Sequence, residues 1–196
     1  MAHHVYNTEG FVIETTNSGE ANKYFTVFTK ELGMVRATAQ GVRLLKSKLR
    51  FSLQEFSYAR ISLVRGKEVW RITNAKIEWN LHTLFREKKE IIFMLAQIFL
   101  LLRRLIPGEE KNEKLFLLLH HSFVFLQSAI FSKEEISSFE KIAVINILNN
   151  LGYIGNNPEL SEFINVSWSK ELLAHMEIKK RSALQEINRA IKATQL

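Results

Sequence analysis

The chain contains no cysteine and no aspartate, and only 2 of its 196 residues are proline. Without cysteine, disulfide bonds, thiolate nucleophiles and thiolate metal ligands are excluded. Without aspartate, catalysis that depends on an aspartate carboxylate is excluded as well. The absence of cysteine fits a reducing compartment, and the chain does not open on the basic, apolar and small-residue order of a secretory signal peptide. We therefore expect a cytoplasmic protein.

The signature motifs of the common enzyme classes are also missing. The sequence has no Gly-x-x-x-x-Gly-Lys-Ser/Thr phosphate loop, no Gly-x-Ser-x-Gly elbow and no His-Glu-x-x-His zinc motif. His120 and His121 are adjacent and would point about 100° apart on a helix, which suits a shared metal ion poorly. His82 and His175 are isolated. We expect no enzymatic activity, no metal and no cofactor.

The charge of the chain is positive and unevenly distributed. The formal net charge is +7, which favours anionic partners such as nucleic acid or an acidic membrane surface. Residues 1–80 hold 12 basic and 7 acidic side chains, a net charge of +5, whereas residues 81–196 hold 15 and 13, a net charge of +2. The first part is therefore the better candidate to bind a polyanion.

The segment Leu32–Gln54 carries five cationic side chains and no acidic one. Lysine and arginine interleaved with glycine and β-branched residues can present several donors to a phosphate backbone along a strand and a loop. A solvated, charged surface loop is the alternative, since charge runs are common on protein surfaces. The pattern alone leaves both interpretations open.

Residues 1–80 show the pattern of a small antiparallel β domain. Segments rich in β-branched and aromatic residues alternate with turn signals such as Asn17-Ser18-Gly19 and Arg65-Gly66-Lys67. We predict five strands, at His4–Thr15, Lys23–Thr29, Met34–Gln40, Gln54–Val64 and Glu68–Trp79. Five short strands suit a closed barrel of the oligonucleotide-binding (OB) type, because closure removes exposed sheet edges.

From residue 81 to residue 196 the hydrophobic period becomes that of helices. We predict helices at Thr83–Ile106, at Glu113–Phe131, from the capping residue Ser132 to Leu151, at Lys170–His175 and at Glu177–Thr194. Ser132 followed by Glu135 has the spacing of a capping box. The predicted fold class is therefore α+β, with an amino-terminal five-stranded OB-fold barrel over residues 1–80 followed by an all-α helical domain over residues 81–196.

The apolar run Ile91–Leu102 raises the question of a membrane span. Its 12 residues would reach only about 18 Å as a helix, against a hydrocarbon core of roughly 30 Å. We expect a buried core helix instead.

Several motifs follow one another in the first part of the chain: Thr8-Glu9-Gly10-Phe11-Val12-Ile13, Gly19-Glu20, Asn22, Phe28-Thr29, Gly33, Ala39-Gln40-Gly41-Val42-Arg43, Ser47 and Leu53-Gln54-Glu55-Phe56. Their order and spacing resemble the amino-terminal domain of the RecO family of bacterial recombination mediators. Leu151-Gly152-Tyr153 also resembles the family, at the point where its helical domain leads into a zinc-binding loop. The resemblance implies the same two-domain arrangement that the periodicity predicts.

The chain departs from the family pattern at two places. Many members carry four cysteines after the Leu-Gly-Tyr motif, whereas residues 154–166 here contain none. The resemblance is therefore to a short form that lacks the zinc-binding cysteines. Asn22 stands where the family more often has aspartate.

The resemblance implies a DNA-binding protein that makes and breaks no covalent bonds. RecO proteins bind single- and double-stranded DNA, anneal complementary strands, contact the acidic carboxyl-terminal tail of single-stranded DNA-binding protein, and act with RecR to place RecA on gapped DNA. A role in DNA repair and recombination follows from the resemblance, at the nucleoid in the bacterial cytoplasm and without a membrane partner.

We predict that DNA binds to cations of the segment Leu32–Gln54, whose guanidinium and ammonium groups suit successive phosphates. These are Arg36, Arg43, Lys46, Lys48 and Arg50. A second group, on neighbouring strands and turns, comprises Lys23, Arg60, Arg65, Lys67 and Arg71. Aromatic residues among these positions could stack on bases, although most are expected to fill the barrel. They are Tyr24, Phe51, Tyr58 and Trp70, of which Trp70 is the first candidate. Leu44 and Leu45 are expected to anchor the loop.

The acidic tail of the partner protein needs an apolar pocket rimmed by cations. Three clusters of the helical domain could supply the rim: Lys88 and Lys89, Arg103 and Arg104, and Lys179, Lys180 and Arg181. Ordinary solvated helix ends explain each cluster equally well.

Two other functions stay open at this point. One is a protein-interaction adaptor whose OB fold has little affinity for DNA. The other is a peripheral membrane protein that uses the apolar helix and its basic flanks. Titration with DNA, titration with an acidic tail peptide and flotation with anionic liposomes separate the three possibilities.

Overall fold

The computed structural model describes residues 4–155 and 157–194, which divide into two compact units. The first comprises the residues up to Glu87 together with Ile106–Glu113, and the second comprises Lys88–Leu105 together with the residues from Lys114 onward. The elements up to Phe85 are β1 Val5–Ser18, β2 Asn22–Thr29, β3 Gly33–Ala39, α1 Leu49–Ser52, β4 Ser57–Arg65, β5 Trp70–Asn80 and α2 Leu81–Phe85. The later elements are α3 Lys89–Leu105, α4 Glu113–Gln127, α5 Lys133–Asn150, a 3₁₀ turn at Ser161–Phe163 and α6 Lys170–Ala193.

The five strands close into a barrel in the order β1-β2-β3-β5-β4, with β4 pairing back onto β1. Neighbouring strands are antiparallel except β3 and β5, which run parallel and pair Ala37 with Trp70 and Thr38 with Arg71. The contact that closes the barrel between β3 and β5 is short, because only these two residue pairs form it. The predicted fold class, an OB-type barrel followed by helices, is confirmed.

Alternation along the strands separates an apolar interior from a polar exterior. In β3, Val35, Ala37 and Ala39 are fully buried, whereas Arg36 between them is exposed. Arg71 of β5 is exposed in the same way. Because successive side chains of a strand point to opposite faces, packing of the barrel interior holds these arginines outward.

The predicted strands all exist, with ends that differ by up to three residues. β1 continues to Ser18, where Gly19 turns the chain with a φ of 62°. β4 begins at Ser57 and not at Gln54, because Phe56 adopts a left-handed φ of 66° just before it. The short helix α1 was not predicted.

Two helix predictions were wrong in their continuity. The segment predicted as one helix from Thr83 contains two, α2 and α3, and Asn80 caps the first of them by accepting a hydrogen bond from Thr83 N at 2.9 Å. Conversely, α6 is a single helix where two pieces were predicted. Met176, at the supposed break, is fully buried on the same face as Leu173 and Ala183, so one apolar face continues through it.

The capping box at the start of α5 is confirmed. The Ser132 hydroxyl accepts a hydrogen bond from Glu135 N at 3.2 Å, and the Glu135 carboxylate accepts one from Ser132 N at 2.7 Å. The latter bond lowers the pKa of Glu135. α3 buries Ile91, Leu95 and Leu102 as expected of a core helix. Among the described residues, no helix has both the length and the apolar content needed to cross a membrane.

The segment Ile106–Glu113, although it follows α3 in sequence, belongs to the barrel unit. Met34 N donates a hydrogen bond to Gly108 O at 3.0 Å. Gly33 has a φ of 70°, and a β-carbon added there would lie 2.2 Å from the backbone oxygen of Glu110. The motif glycine at position 33 is therefore required by both backbone conformation and close packing.

Candidate nucleic-acid interface

Residues 40–53, termed the basic loop, connect β3 to β4 through consecutive tight turns and α1. The first turn is closed by a hydrogen bond from Leu44 N to Gly41 O at 3.1 Å, and further backbone bonds of the same kind follow. Val42 and Leu53, near the two ends, pack into the barrel core and are 3% and 2% exposed. The loop is therefore an ordered structure fixed at both ends.

Three hydrogen bonds fasten the start of the basic loop to the turn between β1 and β2. Gly41 N donates to Asn22 Oδ1 at 2.9 Å, and Arg43 N donates to Ala21 O at 3.0 Å. The Arg43 guanidinium donates to Gly19 O at 2.8 Å. Arg43 therefore has a structural role besides its charge, and Asn22 supplies the acceptor that holds Gly41.

A groove of about 600 Å³ lies between the basic loop and the β1–β2 hairpin and is termed the loop groove. Three of its lining side chains are cations from separate elements, namely Lys23 of β2, Arg43 of the loop and Arg50 of α1. One carboxylate, that of Glu55, also lines the groove and accepts hydrogen bonds from Thr15 N and Thr15 Oγ1 at 2.9 and 3.1 Å. The fold thus brings three predicted DNA-binding residues together around one opening.

Lys46 and Lys48 lie exposed on the basic loop, and neither forms an ion pair within residues 4–155 and 157–194. Within the same residues, Arg36, Arg43 and Arg50 also lack a carboxylate partner. Their charges are not neutralised by neighbouring side chains. A polyanion would therefore meet five full positive charges along this part of the barrel.

The outer side of β2, β3 and β5 forms a second surface, termed the strand face. The guanidinium carbon of Arg36 lies 4.8 Å from the centroid of the Tyr24 ring, a cation–π contact. Tyr24 pairs in register with Thr38, and Thr38 pairs with Arg71. Paired positions project on the same side of a sheet, so these residues form a row across three strands.

The turn between β4 and β5 adds further cations. Arg65, Lys67 and Arg71 line a hollow of about 590 Å³ there. Arg65 differs from the other two, because its guanidinium forms an ion pair with Glu109 and lies 4.8 Å from the Trp70 ring centroid. Lys67 and Arg71 are thus the more available members of this cluster.

Trp70 is not a surface platform for bases, contrary to the prediction. Its side chain is 4% exposed, belongs to the barrel core and meets the Tyr6 ring edge-on at 5.1 Å. Pairing with Ala37, an interior residue of β3, puts Trp70 on the inner side of the barrel. Tyr58 is also buried, at 6% exposure, whereas Phe51 is 67% exposed.

Arg60 lies apart from the loop groove and the strand face. It lines a different hollow on the β1–β4–β5 side together with Lys30 and Lys76, and its Nε is 3.0 Å from a carboxylate oxygen of Glu78. The second predicted group therefore divides. Lys23 lines the loop groove, Arg71 lies on the strand face, and Lys67 lies in the β4–β5 turn beside it. Arg60 and Arg65 are paired with glutamates.

The expectation that Leu44 and Leu45 anchor the basic loop is wrong. They are 48% and 86% exposed, and Val42 and Leu53 are the anchors instead. The turn closed at Gly41 places Val42 at the barrel mouth and leaves the two leucines outside. This difference creates an apolar surface that the sequence did not predict.

Several polar residues of the loop groove were not predicted either. Thr15, Asn17 and Gln54 line it, and the amide groups of Asn17 and Gln54 can donate hydrogen bonds to phosphate or sugar oxygens. No spacing in the sequence joins these positions, because the groove arises only when β1 and the basic loop come together. Gln54 alone carried a signal, as part of the family-like motif Leu53-Gln54-Glu55-Phe56.

The barrel coincides with a known domain. Residues 1–79 match the family described as Recombination protein O N terminal. The amino-terminal domain of this chain belongs to the RecO family. Over most of its length the chain is similar to curated proteins named DNA repair protein RecO. They include those of Alkaliphilus metalliredigens, with 28% identity over 158 residues, and Dehalococcoides mccartyi strain 195, with 28% identity over 162 residues. The RecO protein of Thermodesulfovibrio yellowstonii is 30% identical over 148 residues.

These alignments cover most of this chain but a smaller part of each relative. They span 81%, 83% and 74% of this chain, and 61%, 61% and 58% of the three RecO proteins. The chain therefore matches about three fifths of the length of these RecO relatives.

The region after Leu151 corresponds to the zinc-binding loop of the RecO family but contains no cysteine. The Asn146 side chain stabilises it through two hydrogen bonds. Asn146 Nδ2 donates to Phe163 O at 2.6 Å, and Asn165 N donates to Asn146 Oδ1 at 2.9 Å. Within the described part of the chain, no group of three or more histidine, cysteine, aspartate or glutamate side chains is placed to hold a metal ion.

One of the seven predicted tail-binding cations lines an apolar cleft of the helical unit. Arg104 borders a cleft of about 500 Å³ formed by α3, α5 and α6, together with Lys141, which was not predicted. Lys141 Nζ donates to Ser137 O at 3.0 Å, and burial lowers the pKa of this lysine. The remaining six cations lie outside the lining of this cleft, and Lys180 is paired with Glu177.

Proposed function

We propose that this protein is a non-enzymatic DNA-binding mediator of recombination and DNA repair, acting at the nucleoid in the bacterial cytoplasm. The observation that carries the proposal is the set of five cations, Arg36, Arg43, Lys46, Lys48 and Arg50, that have no carboxylate partner among the described residues of a RecO-type barrel. Unpartnered cations on one connected stretch of chain favour a polyanion over a protein of mixed charge.

DNA would follow the barrel from the strand face to the loop groove. OB folds bind oligonucleotides on the side of strands 2 and 3 and in adjoining loops, which correspond here to Tyr24, Arg36 and the β4–β5 turn. Lys23, Arg43 and Arg50 would receive phosphates in the loop groove. Such contacts position a backbone without reading sequence, as expected of a protein that acts on any gapped DNA.

The proposed recombination partners rest on the RecO resemblance. We propose that the protein anneals complementary strands, and that it acts with RecR to place RecA on DNA covered by single-stranded DNA-binding protein. Neutralising the phosphates of two strands lowers the repulsion between them, so a basic surface can promote annealing without ATP.

The apolar cleft at Arg104 is the proposed site for the acidic tail of single-stranded DNA-binding protein. Leu101, Val144 and Ile187 supply apolar walls for a terminal hydrophobic side chain. The charged residues of the lining are Arg104, Lys141 and Glu140, so cations outnumber carboxylates there. Charge and apolar surface in one cleft fit a tail that is acidic and ends in a hydrophobic residue. This cleft also supports the second candidate, an adaptor in which tail binding is the principal activity.

The test is a fluorescence-anisotropy titration of labelled single-stranded DNA, followed by an ATP-free annealing assay. We expect the parent protein to bind and anneal, and Lys46→Ala/Lys48→Ala to bind several-fold more weakly. Lys179→Ala/Lys180→Ala is the control, because it removes the same charge from α6. A parent protein that binds an acidic tail peptide but neither binds nor anneals DNA would make the adaptor the correct assignment.

A further inference from the structure

The basic loop exposes three large apolar side chains among its cations. Leu44 is 48% exposed, Leu45 is 86% exposed and Phe51 is 67% exposed. Exposed apolar side chains that cluster on one short loop mark a contact surface more often than isolated ones do. The phosphate contacts proposed above leave this surface without a role.

The loop holds these side chains outward through its own backbone structure. Ser47 N donates to Leu44 O at 3.0 Å and closes a turn that contains Leu45. Arg50 N donates to Ser47 O at 3.3 Å and closes the next turn, which leads into α1 and Phe51. Val42 and Leu53 fill the barrel core at the two ends. An ordered loop presents its side chains at a lower entropic cost of binding than a disordered one.

The charges around these apolar side chains indicate what kind of ligand the basic loop binds. Arg43, Lys46, Lys48 and Arg50 alternate with the exposed leucines and Phe51, and no carboxylate occurs between Leu32 and Gln54. The ligand must therefore combine negative charge with accessible apolar surface. Unpaired nucleotides have both, because the phosphates lie along the backbone while the base faces are free; in duplex DNA those faces are stacked away.

We propose that Phe51 stacks on an unpaired base and that Leu45 makes apolar contact with a neighbouring base, so that the basic loop distinguishes single-stranded from double-stranded DNA. This inference rests on the proposed DNA-binding function and adds base contacts to it. The loop groove favours nucleotides over an anionic bilayer, since Lys23, Arg43 and Arg50 line a recess with hydrogen-bonding side chains that a flat lipid surface would not enter.

The first experiment compares Phe51→Ala and Leu45→Ala with the parent by anisotropy on single-stranded and double-stranded oligonucleotides. Phe51→Ala should lose about 5- to 100-fold in affinity for single strands, as for other stacking residues, with an unchanged salt dependence because no charge is removed. Affinity for double strands should change less than about twofold. Phe51→Trp should restore single-strand binding, because tryptophan also stacks.

Matched controls come from the helical unit. Phe93 is 67% exposed, the same fraction as Phe51, and Ile178 is 81% exposed, close to Leu45. Phe93→Ala and Ile178→Ala should leave binding to single strands unchanged. Thermal unfolding of each variant checks that the fold is intact, which we expect because these side chains are largely in solvent.

An oligonucleotide with abasic sites tests the stacking itself. If Phe51 stacks on a base, the parent should bind the abasic strand more weakly than the normal strand, and Phe51→Ala should bind both equally. Equal losses for Phe51→Ala on normal and abasic strands would overturn the inference. Single-strand binding by Phe51→Ala at the parent's affinity would overturn it too, while loss of binding in Lys46→Ala/Lys48→Ala would leave the proposed function standing.

Vesicles of phosphatidylserine and phosphatidylcholine test the competing ligand. We expect the parent protein not to float with these vesicles. Flotation that is lost in Phe51→Ala, together with unchanged DNA binding, would assign the apolar surface to a membrane and contradict the base contacts.

Discussion

The Arg36 guanidinium lies over the ring of Tyr24, with 4.8 Å between the guanidinium carbon and the ring centroid, and this contact links β3 to β2 on the strand face of the barrel. Arginine stacked on an aromatic ring is held in place while its remaining donors stay available. The pair can therefore present a fixed charge to a phosphate.

Removing this charge should weaken DNA binding measurably. Arg36→Ala should flatten the slope of log affinity against log salt by about 0.7 on single strands, the value for one phosphate contact. Tyr24→Phe should bind as the parent does, because the ring remains, whereas Tyr24→Ala should bind more weakly. Arg60→Ala is the control, since Arg60 is paired with Glu78 on another side of the barrel. Equal losses in Arg36→Ala and Arg60→Ala would show that only total charge matters.

Asn22 should control the position of the basic loop. Its side chain accepts the hydrogen bond from Gly41 N, so Asn22→Ala should cost about 1 kcal/mol in unfolding free energy and weaken DNA binding. Asn22→Asp retains an acceptor and should preserve both properties. Chemical denaturation and anisotropy measure the two effects. An alanine variant as stable as the parent would show that the loop is held by other contacts.

Gly33 and Gly19 should differ in their tolerance of alanine, although both have positive φ values, 70° and 62°. The conformational cost of a β-carbon, about 1–2 kcal/mol, applies to both. At Gly33 the β-carbon would also meet the backbone of Glu110, whereas at Gly19 it would meet nothing within 4 Å. Gly33→Ala should therefore be clearly less stable than Gly19→Ala in thermal unfolding. Similar losses would contradict the close packing of Ile106–Glu113 at this position.

Glu140, in the wall of the apolar cleft, should make stability depend on pH. Burial raises the pKa of its carboxyl above the ordinary value, against a smaller opposing effect of the Lys141 charge. The folded state thus holds the Glu140 proton more tightly than the unfolded state does. The protonated Glu140 carboxyl therefore contributes fully to the stability of the protein at low pH, and this contribution is lost as pH rises through the raised pKa. Glu140→Gln should equal the parent near pH 4 and be more stable at pH 7.

Glu171 gives a control of opposite sign for this experiment. Hydrogen bonds from its own backbone N–H and from Ser169 lower the pKa of its carboxyl. Glu171→Gln should therefore be less stable than the parent at pH 7 and equal to it at low pH. Denaturation at the two pH values measures both variants, and a Glu140→Gln variant destabilised at pH 7 would contradict the account.

The barrel was predictable because its strands alternate and its turns carry glycine and asparagine. For Trp70, however, the prediction of an exposed side chain was wrong. Trp70 and Ile72 share the inward position and Arg71 points outward, so the alternation already contained the correct answer, but proximity to a turn suggested a surface residue. The break between α2 and α3 was not predictable, because the residues between the two helices, Arg86, Glu87 and Lys88, are all compatible with a helix.

The basic loop was recognisable as basic but not as structured. Its form depends on Asn22 and Gly19, which lie some twenty residues earlier in the chain and meet the loop only in the folded barrel. The same long-range contacts decide that Val42 is buried and Leu45 exposed. The sequence alone therefore locates the basic charges of this segment, but it predicts neither the loop groove nor the apolar surface beside it.

The most direct test of the central claim is the salt dependence of single-stranded DNA binding in Lys46→Ala/Lys48→Ala/Arg50→Ala. If these three side chains each neutralise one phosphate, the slope of log affinity against log salt should become shallower by about 2, at 0.7 for each contact. Lys179→Ala/Lys180→Ala/Arg181→Ala removes the same three charge types from α6 and should keep the parent's slope. A parental slope in the basic-loop variant, or an equal change in the α6 variant, would contradict the assignment of the basic loop as the DNA contact.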